Sequence, residues 1–216
     1  MRVSFGRIVQ HDERSRSFRA PAAPALRSVS HKHWGPVLDQ GNLGSCTGNA
    51  VAQALNCDPL RQGRRLLTEA SARSLYSSAT LLDGLPGTWP MDDTGSSGLG
   101  AAKAAKKAGY ITGYSHAFGL DEALAALVLS PVIVGTSWHQ SMSKPDAAGY
   151  LKVSGSVVGG HEYAVIALDV RLERVTVLNS WGPGWGKAGK AYLTFADLGD
   201  LLDDEGDVVV LAPIAK

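Results

Sequence analysis

The sequence predicts an α+β fold of two lobes, in which a helical first half is followed by an antiparallel β half. Between residues 47 and 108, apolar and small residues recur at helical spacing. From residue 131 onward, short segments rich in Val, Ile and Tyr alternate with turns, which is typical of an antiparallel sheet or barrel. With 216 residues, 44% of them hydrophobic, the chain can bury a core as one domain or as two lobes that share a cleft.

The individual elements follow from this periodicity and from turn-forming residues. The first helix follows Cys46 and ends near Asp58, because a residue before proline avoids helical geometry. An acidic segment, residues 197–207, is predicted to be a solvated loop, with calcium binding as the alternative. The predicted helices cover residues 47–56, 68–82, 99–108 and 121–129, and the predicted strands cover residues 131–136, 162–170, 175–179, 192–195 and 208–211.

Composition argues against several classes of function. A net charge of +1 argues against nucleic acid as a partner. No apolar run approaches the ~20 residues of a membrane-spanning helix, and the arginine-rich start has no continuous apolar core, so no secretory signal is expected. Two cysteines make no disulfide framework and fit a reducing compartment. A cytoplasmic protein is therefore expected, but release by lysis, leaderless export or packaging in a phage particle would leave the same features.

The start of the chain differs from the rest. Residues 1–33 are expected to form an N-terminal arm, because apolar periodicity is weak, arginines recur, and residues 20–25 have the Ala-Pro composition of an extended linker. The arm is interpreted as a solvated basic tail, a regulatory segment or a strap across a lobe. Residues 34–216 are expected to form the main domain, with a helical lobe over about residues 34–115 and a β lobe over about residues 116–216.

The segment from Asp39 to Ala50 has the features of a nucleophile loop. A Gly-rich stretch leads to Cys46 at the start of a helix, where the partial positive charge of the N-terminus stabilises a thiolate. Ser45 is the expected N-cap residue, whose side chain accepts a hydrogen bond from a free amide of the first turn. Gln40 lies six positions before the cysteine, so its side-chain amide can fold back and stabilise an oxyanion.

A histidine and an asparagine are expected to meet at one edge of the predicted sheet. His161 enters an apolar strand from a glycine pair, and Asn179 ends the next strand of the same hairpin. The start of the first strand and the end of the second lie at the same edge, so these two side chains approach each other in any register. An asparagine carbonyl that accepts from one imidazole nitrogen turns the other nitrogen toward a nucleophile.

These motifs resemble those of a known family. The loop Gln40-Gly-Asn-Leu-Gly-Ser-Cys-Thr-Gly-Asn-Ala50 resembles the active-site loop of papain-like cysteine peptidases, particularly that of bacterial and phage members. The segment Asn179-Ser-Trp-Gly-Pro-Gly-Trp-Gly186 is similar to the family's Asn-Ser-Trp-Gly-x-Gly-Trp-Gly, and an eight-residue match is hard to reach by chance. The likeness covers roughly residues 34–195. It implies a papain-like two-lobe fold, with the active site between the helical lobe and a β-barrel-like lobe.

The resemblance implies roles for particular residues. Cys46, His161 and Asn179 would form the catalytic triad, with Gln40 at the oxyanion, and no metal or organic cofactor would be needed. The partner would be a peptide or protein substrate, not a nucleic acid or a membrane, and a proteinaceous inhibitor or the chain's own arm could lie in the cleft. The implied substrate contacts are Gly95, Ser96, Ser97, Gly98, Gly160 and Trp181. The alternative for the glycine-rich segment at residues 95–98 is a simple turn, and the alternative for Trp181 is core packing.

The sequence also departs from the family's pattern. Leu43 stands where many relatives have a disulfide cysteine, and Thr47 stands where they have an aromatic residue. Cys46 and His161 are 115 positions apart, fewer than the ~130–150 typical of better-known members, so the loops that shape substrate subsites are expected to be shorter. Glu162, directly after the histidine, is unusual; it either points away from the cleft or tunes His161.

The expected activity is a cysteine endopeptidase that works through a thioester acyl-enzyme. An amidase or acyltransferase acting on a non-protein substrate, such as cell-wall peptide, would use the same residues. A catalytically inactive binding protein is the third alternative, and the presence of all four polar site residues argues against it. Preference among substrates does not follow from the sequence.

Overall fold

The apolar segments of the second half form one antiparallel sheet. A computed structural model describes residues 4–21 and 25–214. The strands are β1 (Val29–Ser30), β2 (Gly113–Ala117), β3 (Val132–His139), β4 (Val157–Asp169), β5 (Arg174–Leu178), β6 (Lys190–Thr194) and β7 (Asp207–Ala212). Neighbouring strands follow the order β2-β7-β3-β4-β5-β6, and β1 pairs with β4. The helices are α1 (Cys46–Leu55), α2 (Glu69–Leu82), α3 (Gly98–Lys107), α4 (Gly119–Leu129) and α5 (Phe195–Asp203).

Both faces of this sheet are buried. Alternate residues of the central strands point to opposite sides, so Ile133 and Ala164 pack with α1, α2 and α3, whereas Val134 and Val165 pack with α4 and α5. A strand that is covered on both faces is apolar along its whole length. This explains why the first half of β3, residues 132–135, and the inner part of β4 are nearly continuous runs of apolar residues.

The predicted α+β class is confirmed, and so are the four predicted helices and five predicted strands, with bounds shifted by a few residues. The barrel-like description of the β lobe was too specific. Within the described residues the sheet is open, because its order begins at β2 and ends at β6 without a pairing between them. Strand β2 was not predicted, because Gly113–Ala117 has neither alternation nor β-branched residues.

The prediction of a solvated loop at residues 197–207 was wrong. Most of this segment is helix α5, which begins where the Thr194 side chain accepts a hydrogen bond from the Asp197 amide. Leu198, Leu201 and Leu202 are buried on one face of the helix, and the aspartates lie mostly on the other. The acidic composition hid this helical spacing. Among the described residues, no cluster of acidic, His or Cys side chains could hold a metal ion.

Two further features of the described residues concern membrane-spanning helices and the cysteines. None of its helices combines the length and the apolar character that crossing a membrane requires. Cys46 and Cys57 are both free and buried.

The N-terminal arm crosses the molecule from the helical side to the sheet. Its first described residues pair with the segment before α3, since Ile8 N donates to Ser96 O at 2.8 Å. A 3₁₀ helix, Glu13–Phe18, follows, and Ala20 N then donates to His116 O at 2.7 Å. Farther along, β1 pairs with β4. Residues 22–24 of the expected Ala-Pro linker lie outside the described part of the chain.

Helix α1 approaches α2 closely at Gly48. A Cβ at this position would lie 2.3 Å from the carbonyl oxygen of Ala72 and 2.8 Å from the amide nitrogen of Tyr76. Both are backbone atoms of α2, so a side chain could be accommodated only if the helices moved apart. Because α1 carries Cys46 at its first residue, this contact helps to determine where the thiol lies.

We expect Gly48→Ala to lower the free energy of unfolding by about 1–3 kcal/mol, because the overlap with α2 outweighs the better helix propensity of alanine. Urea unfolding followed by circular dichroism measures this difference. Gly184→Ala is the matched control, since Gly184 is exposed and has open space around its Cα; a change within about 0.5 kcal/mol is expected there. Equal stability of the two variants would contradict the close packing at Gly48.

Candidate active site

Cys46 is the first residue of α1 and is fully buried. The loop before it is fixed by Asp93, whose carboxylate accepts hydrogen bonds from Gly44 N at 3.0 Å and from the Tyr76 hydroxyl at 2.7 Å. Ser45 occupies the N-cap position, but the expected capping bond is absent. Its hydroxyl instead accepts a hydrogen bond from the Asn49 side chain at 3.0 Å, because the loop turns that hydroxyl into the buried interior.

The side chain of Gln40 is oriented by Ser180. The Ser180 hydroxyl donates to Gln40 Oε1 at 2.6 Å, so the amide nitrogen is left to donate on the other side. That nitrogen, Nε2, donates to Leu43 O at 2.8 Å and to Ser4 O at 3.2 Å. Ser4 belongs to the arm. A backbone carbonyl of the arm therefore accepts a hydrogen bond from the Gln40 amide, which was predicted to stabilise an oxyanion.

His161 and Asn179 meet at the edge of the β4–β5 hairpin. His161 Nε2 lies 2.7 Å from Asn179 Oδ1, and both side chains are fully buried. Gln53 of α1 donates from its side chain to Asn179 O at 2.9 Å, which links the cysteine helix directly to this pair. Nδ1 of His161 has no hydrogen-bond partner among the described residues.

Indole rings enclose this pair. The rings of Trp181 and Trp138 each lie 4.9 Å, between centroids, from the imidazole of His161, and both are buried. The two indoles also contact each other at 5.3 Å. A hydrogen bond that is shielded from water is electrostatically stronger than an exposed one. Trp138 was not singled out from the sequence, where the predicted strand ended two residues before it.

Burial disfavours the charged forms of the Cys46 thiol and the His161 imidazole. It raises the pKa of Cys46 to about 12, even though backbone amides of Glu162, Gly6 and Thr47 favour the thiolate. Burial also lowers the pKa of His161 to about 4, against the opposing effect of its hydrogen bond to Asn179. With the arm in place, the site therefore holds a neutral thiol and a neutral imidazole near pH 7.

Four of the expected substrate contacts, Gly95, Ser96, Ser97 and Gly160, adjoin the arm. The Ser96 backbone pairs with the arm, since Ser96 N donates to Gly6 O at 2.8 Å, and Gly160 O accepts from Arg7 N at 3.0 Å. Gly95 adjoins the same stretch, because a Cβ there would lie 2.3 Å from Gly6 O. The Ser97 hydroxyl caps α3 by accepting from Gly100 N, and it also donates to Oε1 of Gln10 in the arm at 2.5 Å.

An aromatic residue of the arm lies over the His–Trp pair. The ring of Phe5 meets the rings of His161 and Trp181 edge to face, each at 6.0 Å between centroids. Gly6 follows and packs on the nucleophile loop, where a Cβ would lie 1.9 Å from Gly44 O. The arm therefore covers the imidazole and runs past the cysteine in an extended form.

Glu162 contributes to a small acidic pocket beside this path. Its side chain is fully buried, and neither carboxylate oxygen has a hydrogen-bond partner among the described residues. Asp207 of β7 lies in the same pocket, and the guanidinium of Arg7 from the arm enters it. The Glu162 carboxyl therefore does not point away from the cleft. Nor does it shift the pKa of His161, because the causes of that shift are burial and the hydrogen bond to Asn179.

Sequence reasoning missed several residues of this region: Phe5, Arg7, Asp93, Trp138, Ser180 and Asp207. Ser180 and Trp138 carried usable signals, since one follows Asn179 directly and the other continues an apolar strand. Asp207 stood in the acidic segment that was interpreted as a loop. The arm residues gave no signal, because weak periodicity does not show where an extended segment lies.

Solved structures share this architecture. Xylellain, a cysteine protease from Xylella fastidiosa, matches with a TM-score of 0.80 and 19% identity over 98% of this chain and 97% of that chain. A digestive procathepsin L2 proteinase from the larval midgut of Tenebrio molitor matches with a TM-score of 0.66 and 16% identity, over 97% of this chain and 78% of that chain. The bromelain protease of Ananas comosus, in complex with the E64 inhibitor, matches with a TM-score of 0.59 and 16% identity, over 87% of this chain and 99% of that chain.

These matches establish the papain-like fold that the motifs implied. At such identities the likeness shows the fold alone. No family model matches the sequence, and no curated protein does.

We expect the thiol of Cys46 to react slowly with iodoacetamide in the intact chain between pH 5 and 8, because burial raises its pKa and protonates it. Labelling should accelerate only at higher pH. A Cys57→Ala chain restricts the readout to one thiol, and the same chain unfolded in urea gives the rate of an ordinary cysteine. Fast labelling that does not change between pH 5 and 7 would contradict a neutral Cys46–His161 pair.

Proposed function

We propose that this chain is a cysteine peptidase that hydrolyses peptide bonds through Cys46, His161 and Asn179. The observation that carries the proposal is the buried 2.7 Å contact between His161 Nε2 and Asn179 Oδ1, joined by Gln53 to the helix that begins at Cys46. The papain-like fold of solved cysteine proteases supports the same class of activity.

Each group has a defined task in this mechanism. The hydrogen bond to Asn179 holds Nε2 of the imidazole, so Nδ1 exchanges the proton with Cys46. The thiolate attacks the peptide carbonyl, and the Gln40 side chain with the Cys46 amide stabilises the oxyanion. His161 then protonates the leaving amine. A water activated by the same ring hydrolyses the thioester and frees the enzyme.

The N-terminal arm inhibits this activity while it lies in the cleft. Its backbone uses Ser96 and Gly160, the groups that would bind the backbone of a peptide, and its Ser4 carbonyl uses the Gln40 amide. The arm also buries the reacting groups, which disfavours the charged pair. A substrate must displace it, which reduces the apparent affinity by the fraction of open molecules.

The direction of the arm explains why it is not itself a good substrate. His161 protonates the leaving amine, which belongs to the C-terminal side of the scissile bond, so a substrate directs its C-terminal part toward His161. In the arm the earlier residue, Phe5, lies on His161, and the later residue, Ile8, pairs with Ser96. The arm therefore runs opposite to a productive peptide, and its pairing with Ser96 is parallel.

We expect Gly6→Leu to increase peptide hydrolysis by at least about tenfold, because a side chain at this position overlaps Gly44 O and expels the arm. Hydrolysis of a quenched fluorescent peptide library measures the effect. Val9→Leu is the control within the arm, since Val9 is 38% exposed and should leave the rate unchanged. If Gly6→Leu and Val9→Leu show the same rate as the unchanged chain, the arm does not limit activity.

In the Gly6→Leu chain, we expect Cys46→Ala and His161→Ala to lower kcat/KM by about 10³-fold or more, because each removes a group that bonds or transfers a proton to the reacting atoms. Cys57→Ala, which removes the other buried thiol, should retain full activity. Mass spectrometry of the products, with and without an added amine, distinguishes hydrolysis from acyl transfer. Activity that survives the loss of Cys46 would exclude the proposed mechanism.

A further inference from the structure

The acidic pocket beside the cleft holds the guanidinium of Arg7. Glu162 and Asp207 supply its carboxylates, and Gly98 and Gly135 form its walls. A Cβ at Gly98 would lie 2.6 Å from Glu162 Oε1 and 2.8 Å from Asp207 Oδ2. A Cβ at Gly135 would meet the same two carboxylates at 2.6 and 2.7 Å. The absence of side chains at these glycines makes the space into which a long side chain enters.

A buried carboxylate without hydrogen bonds needs a positive partner. Glu162 is fully buried and both its oxygens lack hydrogen-bond partners within the described residues, an arrangement that is costly for an isolated charge. Burial and the neighbouring Asp207 raise the pKa of Glu162, and Arg7 opposes that rise. In this structure Arg7 of the arm supplies the positive charge: it bonds to Asp207 and acts on Glu162 through its charge, without a hydrogen bond.

The arm shows which kind of side chain fits. Arg7 enters the pocket, its side chain is 1% exposed, and its Nε donates to Asp207 Oδ1 at 3.0 Å. Its Nη2 donates to the same carboxylate and to Glu205 O, both at 2.5 Å. The planar guanidinium is thus held by several charge-assisted hydrogen bonds in a nearly dry site.

The position of the pocket relates it to a substrate. Phe5 lies on His161, Gly6 packs on the loop before Cys46, and Arg7 follows beside Ser96 and Gly160. A substrate runs in the opposite direction, so the residue that takes the place of Arg7 precedes the residue whose carbonyl is attacked. We propose that Glu162 and Asp207 form a specificity pocket for an arginine or lysine side chain at this preceding residue, an inference that rests on the proposed peptidase function.

Peptide binding tests the pocket without requiring catalysis. The probes are three blocked hexapeptides that differ only at the residue in question, which is arginine, lysine or citrulline; citrulline keeps the shape of arginine but lacks its charge. The protein is the full chain with Cys46→Ala to prevent cleavage, and with Gly6→Leu and Arg7→Ala to free the cleft and the pocket. Calorimetry gives the dissociation constants.

We expect the arginine peptide to bind about tenfold or more tightly than the citrulline peptide, with lysine between them. Glu162→Gln and Asp207→Asn should each reduce this preference, whereas Asp203→Asn, at an exposed aspartate in the last turn of α5, should leave it intact. Thermal unfolding of each variant checks that it is folded. Equal binding of arginine and citrulline peptides, or no measurable binding of the arginine peptide, would overturn the pocket.

Hydrolysis separates this inference from the function on which it rests. In the Gly6→Leu chain with Cys46 intact, cleavage of arginine and citrulline peptides at equal rates would refute the pocket and leave the peptidase. An arginine preference in binding without any Cys46-dependent cleavage would support the pocket and refute the peptidase. A preference in both measurements, lost in Glu162→Gln, supports the two together.

Discussion

The buried hydrogen bond between His161 and Asn179 is the interaction on which the arrangement of the site depends. It requires that the β4–β5 hairpin bring two residues 18 positions apart to the same end of the β4–β5 pairing. It also requires that indole rings exclude water and that Gln53 connect the hairpin to the cysteine helix. The sheet, covered on both faces, gives this pair a rigid support.

The same burial that strengthens the His161–Asn179 contact makes charge separation expensive. The proposed mechanism forms a thiolate beside an imidazolium, a pair that is favoured where water or fixed dipoles solvate it, and burial under the arm disfavours both charges. Phe5 covers the imidazole while Gly6 passes over the loop before the thiol, so a short segment affects both groups of the proposed proton exchange. The inhibition that we propose for the arm needs few residues, because it would act on solvation as well as on access.

Local patterns in the sequence were sufficient to predict the helices and strands. They were not sufficient to predict which residues distant in sequence lie close together. Helical spacing located α1 to α4, and the hairpin argument brought His161 toward Asn179 because it was independent of register. The surroundings of Glu162 could not be inferred, since its neighbour Asp207 is on a strand distant in sequence and the pairing of β3 with β7 sets their proximity. Acidic residues in α5 obscured its buried leucines, and Ser180 required knowledge of where Gln40 folds back.

One peptide bond separates the imidazole from the carboxylate of the acidic pocket. Because neighbouring residues of a strand face opposite sides, His161 lies with the indole rings while Glu162 points toward the start of α3. A slip of β4 by one residue would exchange the two groups, so the proposed catalytic and specificity roles depend on a single register. If both roles hold, selectivity can diverge through side-chain replacement at position 162 or at the two wall glycines, whereas a change in the backbone of this strand would disturb both properties at once.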